Sequence, residues 1–552
     1  MADVYEERRG QMFPTLTEAQ IARIADHAQR RHVAAGEVVF DQGQVNTGIQ
    51  VILSGSLEVV RPNLLGDDLV TVHKAGQFTG EVNSLSGRRN LVRGRMREAG
   101  DILSLDSEGL RGIVQGDTEL SDIFMRAFIL RRVGLLSQGF GDAMLIGSTH
   151  SAGTLRLQEF FTRNSHPYTY VDVDQDKEVQ ALLDRFRVGV TDVPVVICRG
   201  ERVLKNPTNE EVADCFGMNP TLDPKVIRDL VVVGAGPAGL AAAVYGASEG
   251  LDVLVIEVNA PGGQAGTSSK IENYLGFPTG ISGQELAARA YAQSQKFGAE
   301  MMIAHSVSGF KCDGKGSYEL TLSNGVTIRA RAVIIASGVE YRRLALPNLA
   351  RFEGVGVYYG ATAIEARLCA GQEVAIVGGA NSAGQAAVYL SQHAKHVHVV
   401  IRGAGLADTM SRYLIRRIEE NPKITLWPHS EVVGLEGDDR LRMVGWRKGD
   451  GTIETRNIAH LFLMIGAEPN SKWLTGCVAL DEKGFVKTGI DVVRDDLTKG
   501  HWMLARAPFL FETNRHRVFA VGDVRSGSVK RVAAGVGEGS ICVQLVHRAL
   551  AE

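Results

Sequence analysis

The stretch Leu230-Val-Val-Val-Gly234-Ala-Gly236-Pro237-Ala238-Gly239-Leu-Ala-Ala-Ala-Val-Tyr-Gly-Ala-Ser-Glu-Gly250-Leu-Asp-Val-Leu-Val-Ile-Glu257 decides the reading of this chain. Leu230 to Val233 is a continuous apolar run, as expected of a parallel strand covered on both faces. Glycines then follow in the spacing G-x-G-x-x-G, an alanine-rich helix comes next, and a second apolar strand ends on Glu257, 18 residues past Gly239. Each glycine has its own task in a dinucleotide-binding turn. Gly234 permits the tight turn, Gly236 lets the backbone approach a pyrophosphate, and Gly239 lets the helix settle on the strand. The anion sits at the helix start, around Pro237 and Ala238, where backbone N–H groups lack helical partners. A carboxylate at Glu257 accepts hydrogen bonds from ribose hydroxyls and disfavours a 2′-phosphate.

Downstream of this motif the chain carries further segments in a recognisable order: PGGQAGTSSKIENYLGFP at 261–278, VIIASG at 333–338, IGAEPN at 465–470 and VFAVGDV at 518–524. With GAGPAGLAAAVYGA, these make residues 225–552 resemble the thioredoxin-reductase-like flavoproteins. The resemblance implies that the first motif holds the FAD pyrophosphate. It also implies that Gly263, Gln264 and Asn273 face the flavin side, and that Gly522 and Asp523 meet the ribityl chain. The start of the helix containing Gly535 is then expected near the flavin ring.

A second glycine turn, Gly378-Gly379-Ala380-Asn381-Ser382-Ala383-Gly384, follows the apolar strand Glu373–Val377 and opens a helix. It resembles the NADPH-binding turn of the same family, which makes Gly378, Gly379, Asn381, Ser382 and Ala383 the candidate contacts. Ala380 is a departure, since its methyl crowds the backbone where a pyrophosphate should approach. The next strand, HVHVVIR, ends on Arg402 rather than on an acid. A cation there suits a 2′-phosphate, so NADPH is favoured, with NADH as the alternative. His393, His396 and His398 crowd this region, but no third ligand is in view and no metal site is expected.

In thioredoxin reductases the segment before the second turn carries a C-A-T-C pair that takes electrons from the flavin. Here the segment reads Tyr359-Gly360-Ala361-Thr362-Ala363-Ile364, with Gly360 and Ala363 at the cysteine positions. Cys369 is the one thiol nearby, and a single thiol forms no internal disulfide. The usual flavin-to-disulfide route is therefore chemically unavailable, and no protein side chain is assigned a catalytic role.

Residues 141–222 alternate strand and helix and resemble a thioredoxin or glutaredoxin fold, with Val193-Pro194 as its cis-proline. The turn where C-x-x-C should stand reads Ser151-Ala152-Gly153-Thr154, which has no thiolate chemistry. A docking or spacing role is expected, with a residual substrate groove beside Pro194 as the alternative. Residues 1–140 give glycine-punctuated β runs, then a helix with Leu120, Ile123, Phe124, Ala127 and Phe128 on one face. The segment QFTGEVNSLSGRRNLV (77–92) resembles the phosphate-binding cassette of cyclic-nucleotide-binding domains. By that resemblance Gly80 cradles a cyclic phosphate, Glu81 takes the ribose 2′-OH and Arg89 neutralises the phosphate. Asn90 stands where a smaller residue is commoner.

Composition bounds the rest. A chain of 552 residues exceeds one module, and its 60 basic against 63 acidic residues give no general attraction for nucleic acid or an anionic membrane. Alternating Arg93, Arg95 and Arg97 read as one solvated strand face. The first residues lack an apolar signal core and no long apolar run appears, so a cytoplasmic protein without membrane partners is expected. Six cysteines, none closer than 17 residues to another, suggest buried, inert thiols.

The fold expected is multidomain: an N-terminal β-roll with helices (1–140), a small thioredoxin-like α/β domain (141–222), and two Rossmann-type dinucleotide-binding domains. The FAD domain covers 223–345 and 467–552, with an NAD(P)H domain at 346–466 between them. The function expected is an FAD-dependent NAD(P)H oxidoreductase. Its acceptor is a ferredoxin-like protein, a quinone or oxygen, with a cyclic nucleotide as effector and a homodimer as the assembly. Thioredoxin-disulfide reduction by a non-standard route and a low-turnover nucleotide sensor are the alternatives.

Overall fold

The computed structural model describes residues 9–45, 47–63, 66–80, 83–86, 90, 92–137, 143–149, 151–174, 192–198, 202–268, 270–311, 317–361 and 363–552. Its N-terminal unit is β-rich. Strands Gln29–Val33, Gly100–Leu105 and Ile49–Ile52 form one antiparallel sheet, and Val38–Phe40, Arg93–Glu98, Ser56–Asn63 and Gly66–Lys74 form a second. The helix Thr118–Ser137 closes the unit by burying Phe124 and Phe128 against Phe78. Two arginines of the 93–98 strand are neutralised locally: Arg93 pairs with Asp41, and Arg95 with Glu58 and Asp67, while Arg97 is exposed.

The middle unit is a mixed four-stranded sheet in the order Arg202–Lys205, Val195–Cys198, Ala143–Gly147, Tyr168–Asp172. The helix Ala152–Arg163 follows its first strand, and the Val193–Pro194 bond is cis. A capping box at Thr208 starts the helix Asn209–Phe216, and Gly217, at φ +61°, ends it. This helix brings Cys215 onto the end of the Val195–Cys198 strand, and the two cysteines form a disulfide. Cys477 is disulfide-bonded as well. The expectation of free, inert thiols therefore fails for these residues: the hairpin returns the chain into a helix beside its own strand, which the spacing alone does not reveal.

The next unit is a seven-stranded sheet. Glu300–Ile303, Val253–Glu257, Ile227–Val233, Thr327–Ile335 and Val518–Ala520 run parallel, and Tyr318–Leu322 and Val307–Lys311 extend it antiparallel. Because Val518–Ala520 joins this sheet, the chain leaves the unit after residue 341 and returns to complete it. Its last helix, Val532–Leu550, lies against Pro237–Ser248 so closely that a Cβ on Gly539 would stand 2.1 Å from the Ala238 carbonyl oxygen.

Between those passages lies a five-stranded parallel sheet in the order Val357–Tyr358, His460–Leu463, Glu373–Val377, His396–Val400, Ile424–Trp427. A three-stranded antiparallel sheet packs on it around the buried Trp446. The ribbon Val339–Tyr341 with Ala467–Pro469 marks both crossings between the two units. One apolar core runs from Leu157, Phe160 and Phe161 of the middle unit into Leu230 and Val232 of the seven-stranded sheet. Among the described residues no helix is long and apolar enough to cross a membrane.

Candidate functional site

The first glycine turn lies where the Ile227–Val233 strand gives way to the Pro237–Ser248 helix. Gly234 sits at φ +106°, and a Cβ there would stand 2.3 Å from the Ala336 carbonyl oxygen. A Cβ on Gly239 would stand 1.9 Å from the Gly234 carbonyl oxygen, so only glycine lets the helix close on the turn. Gly236 caps the helix and faces Gly263: a Cβ on Gly263 would be 2.9 Å from the Gly236 Cα. The bare backbones of the two loops thus form the wall of a cradle suited to a pyrophosphate.

Glu257 is buried at the rim of this cradle. Its carboxylate accepts the N–H groups of Ala235 (2.7 Å), Asn259 (3.0 Å) and Ala260 (3.3 Å). Burial pushes its pKa up, while these bonds and the charge of Arg163 oppose the rise. Gly522, at φ +72°, lies against Ala238 and donates its N–H to Glu538 (2.7 Å). Asp523 beside it has a pKa raised by burial, and Lys530 holds its carbonyl at 3.2 Å. The Gln264 amide donates to the Val339 carbonyl at the crossing ribbon. The structure therefore gathers Gly234, Gly236, Pro237, Ala238, Gly239, Glu257, Gly263, Gly522 and Asp523 around one helix start. Asn273 is exposed in the 261–278 loop.

The second turn is built alike. Gly378 adopts φ +140°, and a Cβ there would stand 2.3 Å from the Met464 carbonyl oxygen. Thr409 Oγ1 donates to the Gly379 carbonyl (2.6 Å), and Asn381 Oδ1 accepts the Ser411 N–H (2.8 Å), so the 403–411 loop is latched onto the turn. Ser382 is exposed and Ala383 buried. Ala380 is the helix N-cap at φ −99°, ψ 178°, extended backbone that any residue adopts, with its side chain exposed. The methyl therefore imposes no strain on the backbone of the turn. Arg402 is exposed at the end of its strand, as is Arg412 at the start of the next helix. Of the nearby histidines, His398 bridges Glu373 (3.2 Å) and the Trp427 indole N–H (3.2 Å). Among the described residues no three metal-ligating side chains converge.

Gly360 is placed against the first cradle, where its Cβ would meet Thr267 at 3.6 Å. Ala363 begins the short helix Ala363–Leu368, and Thr362 lies outside the described residues. Tyr341 and Tyr359 stack at 6.0 Å beside this point, and the Tyr359 hydroxyl donates to Glu353. Cys369 is buried, its thiol donating to the Ala366 carbonyl, and burial pushes its pKa up to about 11. In the middle unit, a Cβ on Gly153 would stand 2.9 Å from Pro194, so the S-A-G-T turn and the proline are neighbours as expected. Ala152 of that turn packs beside Gly354 of the second nucleotide unit. Thr149 and Leu155 face Tyr358, Arg440 and His460 across a cavity of about 440 Å³.

In the N-terminal unit Gly80 sits at φ +105°, and its carbonyl accepts Arg131 Nη1 at 2.8 Å. Arg131 is buried, donates Nε to the Met12 carbonyl and lies over the rings of Phe13 and Phe78. Burial draws its pKa down to about 9. Glu81 and Arg89 lie outside the described residues. The sequence reading missed Arg131, Arg163, Tyr341 and Glu538. The one sequence signal for Arg131 is a charge within the apolar run FILRRV, and the others carry no motif.

Two dinucleotide cradles on two parallel sheets, joined by a double crossing, define a flavoprotein oxidoreductase driven by a pyridine nucleotide. Residues 228–539 match the family described as pyridine nucleotide-disulphide oxidoreductase, and the chain belongs to that family. Residues 30–117 match the cyclic nucleotide-binding domain. The chain is 31% identical over 318 residues to a thioredoxin reductase of Streptomyces coelicolor, covering 57% of this chain and 91% of the relative. It is 30% identical over 369 residues to the NADPH-dependent thioredoxin reductase 3 of Arabidopsis thaliana, covering 64% of this chain but 65% of that relative's length. The solved thioredoxin reductase of Lactococcus lactis superposes with a TM-score of 0.52 at 26% identity, covering 59% of this chain and 99% of its own. FAD and NADPH are the cofactors of this family, and the glycine cradles fit two such dinucleotides.

Proposed function

We propose that this oxidoreductase delivers electrons from NADPH, by way of FAD, to an acceptor that meets the flavin directly rather than through an internal dithiol. The observation that carries this reading is the pair Gly360 and Ala363 at the positions where the family has cysteines, with Gly360 seated against Thr267. Of the described thiols, Cys369 and Cys542 are both buried with raised pKa values, so neither supplies a thiolate at neutral pH. When bound, the cofactors supply hydride transfer from nicotinamide to flavin and onward release of two electrons. The chain binds and places them: Gly234, Gly236, Pro237, Ala238, Gly239, Glu257, Gly263, Gln264, Asn273, Gly522 and Asp523 for FAD, with Gly378, Gly379, Asn381, Ser382, Ala383 and Arg402 for NADPH. By chemistry the acceptor is a ferredoxin-like protein, a quinone or oxygen.

We read 223–345 with 467–552 as the FAD domain, 346–466 as the NADPH domain, and 141–222 as a thioredoxin-like fold without its redox pair. The protein is read as a cytoplasmic homodimer. Residues 1–140 are read as a cyclic-nucleotide unit in which Gly80, Glu81 and Arg89 hold the ligand. The grip of Arg131 on the Gly80 carbonyl supports an effector role, because it ties the ligand turn to the Thr118–Ser137 helix that leads toward the middle unit. The test is an anaerobic NADPH titration followed by flavin absorbance, with and without cyclic AMP or cyclic GMP, then addition of candidate acceptors. Bleaching is expected, then reoxidation by a quinone or a one-electron carrier, with the bleaching altered by a cyclic nucleotide. Reoxidation by oxidised thioredoxin would overturn the acceptor reading, and a flavin that NADPH and NADH both leave oxidised would leave the sensor.

A further inference from the structure

The middle unit does more than sit beside the flavin unit. Its helix Ala152–Arg163 ends on Arg163, whose side chain is only 14% exposed because it reaches into the loop that walls the first cradle. Arg163 Nη2 donates to the Gly263 carbonyl at 2.8 Å, and Nη1 pairs with Glu159 at 3.1 Å. Its Nε is buried and finds no partner among the described residues. The same charge acts on the Glu257 carboxylate and on the Tyr341 hydroxyl, so the guanidinium lies within electrostatic reach of both ends of the cradle.

The surrounding contacts fix it there. Asn164 donates to the Asn259 carbonyl (3.2 Å), Asn209 donates to the Asn259 side-chain oxygen (3.0 Å), and Gln284 reaches back to the Thr162 carbonyl (2.9 Å). Asn259 in turn feeds its N–H to Glu257. The residue that positions the ribose acceptor is thus held from the middle unit.

A guanidinium presents donors in a flat fork matched to phosphate and carboxylate oxygens. Here one arm of that fork holds the Gly263 carbonyl, so the guanidinium fixes the loop whose bare backbone faces Gly236. We propose that Arg163 is a positioning residue of the flavin site contributed by the middle unit: by holding the Gly263 carbonyl it fixes the loop that faces Gly236, and its positive charge favours the pyrophosphate of a dinucleotide bound there. This rests on the reading of the first cradle as the FAD site. It assigns a unit that lacks a redox pair the task of completing and closing that site. The family match begins at residue 228, so the middle unit lies outside it.

The test uses the full-length protein stripped of FAD. Dissociation constants are measured for FAD by flavin fluorescence, and for ADP, which carries the diphosphate without the flavin, by competition. Arg163→Gln is expected to weaken both ligands by about 10- to 100-fold, the range of one charge-assisted hydrogen bond, with the apoprotein melting as wild type does. Arg163→Lys keeps the charge but loses the fork, so a smaller loss for both ligands is expected; it carries the test should Arg163→Gln fail to fold. Unchanged FAD and ADP affinities would overturn the proposal. A loss confined to FAD would also overturn it, since it would place Arg163 away from the diphosphate. A wild-type apoprotein that binds neither ligand would instead refute the reading of the cradle itself.

Discussion

Replacing Gly378 by alanine should separate the two cofactor sites cleanly. The new Cβ would stand 2.3 Å from the Met464 carbonyl oxygen and 2.8 Å from its carbon, with the backbone at φ +140°. Both obstacles are main-chain atoms, and Met464 is tethered by its N–H to the Val377 carbonyl at 2.7 Å. The carbonyl must therefore retreat by roughly 1 Å, or the turn must flip out of the conformation that suits glycine. A non-glycine residue in such a region costs about 1–3 kcal/mol, and the displaced carbonyl adds about 1 kcal/mol. If the free protein relaxes the turn and NADPH binding must restore it, about 2–4 kcal/mol appears in the dissociation constant, a loss of about 30- to 1,000-fold. Flavin content should be unchanged, because the turn belongs to the other unit. The assay is an anaerobic NADPH titration of the FAD-loaded variant. Gly379→Ala is the control: its Cβ meets nothing closer than 3.4 Å, so it should fold normally and report only on backbone approach to the nucleotide. NADPH affinity for Gly378→Ala within about threefold of wild type would refute the packing argument.

Arg402→Ala should weaken NADPH by about 10- to 100-fold, the scale of one charged hydrogen bond, and leave NADH unchanged; equal losses for both would remove Arg402 from the 2′-phosphate. His460 offers a pH test. Burial, with Arg440 adding to it, lowers its pKa from 6.5 to about 4. The folded state thus prefers the neutral ring, and its contribution is intact above about pH 6.5. It is lost as pH falls toward 4, at a rate approaching about 1.4 kcal/mol per pH unit. His460→Gln should flatten that part of the stability curve measured by urea unfolding, and an unchanged acid limb would count against the assignment.

Both nucleotide turns were legible from residue order because their constraints are local. A G-x-G-x-x-G turn needs glycine at particular steps along one strand and helix, and the positive φ at Gly234 and Gly378 bears this out. The cis bond at Pro194 and its contact with Gly153 were expected from the resemblance of residues 141–222 to a thioredoxin fold. Ala380 shows the limit of residue order: its backbone is extended and carries no strain of its own, a property only the dihedral angles reveal. The disulfide between Cys198 and Cys215 escaped notice because helix packing, not spacing, sets the distance between them.

The sequence by itself determined two glycine-rich turns between strand and helix, a glycine and an alanine at 360 and 363, and the acid and cation at Glu257 and Arg402. These are matters of residue type at fixed steps along single elements. Only the tertiary structure decided that Arg163 reaches Gly263 and that Arg131 holds Gly80, partners 100 and 51 residues apart. It also decided that Gly360 lies against Thr267. Such pairings depend on how whole units dock through a shared apolar core, and no periodicity within a segment encodes the face that one unit presents to another.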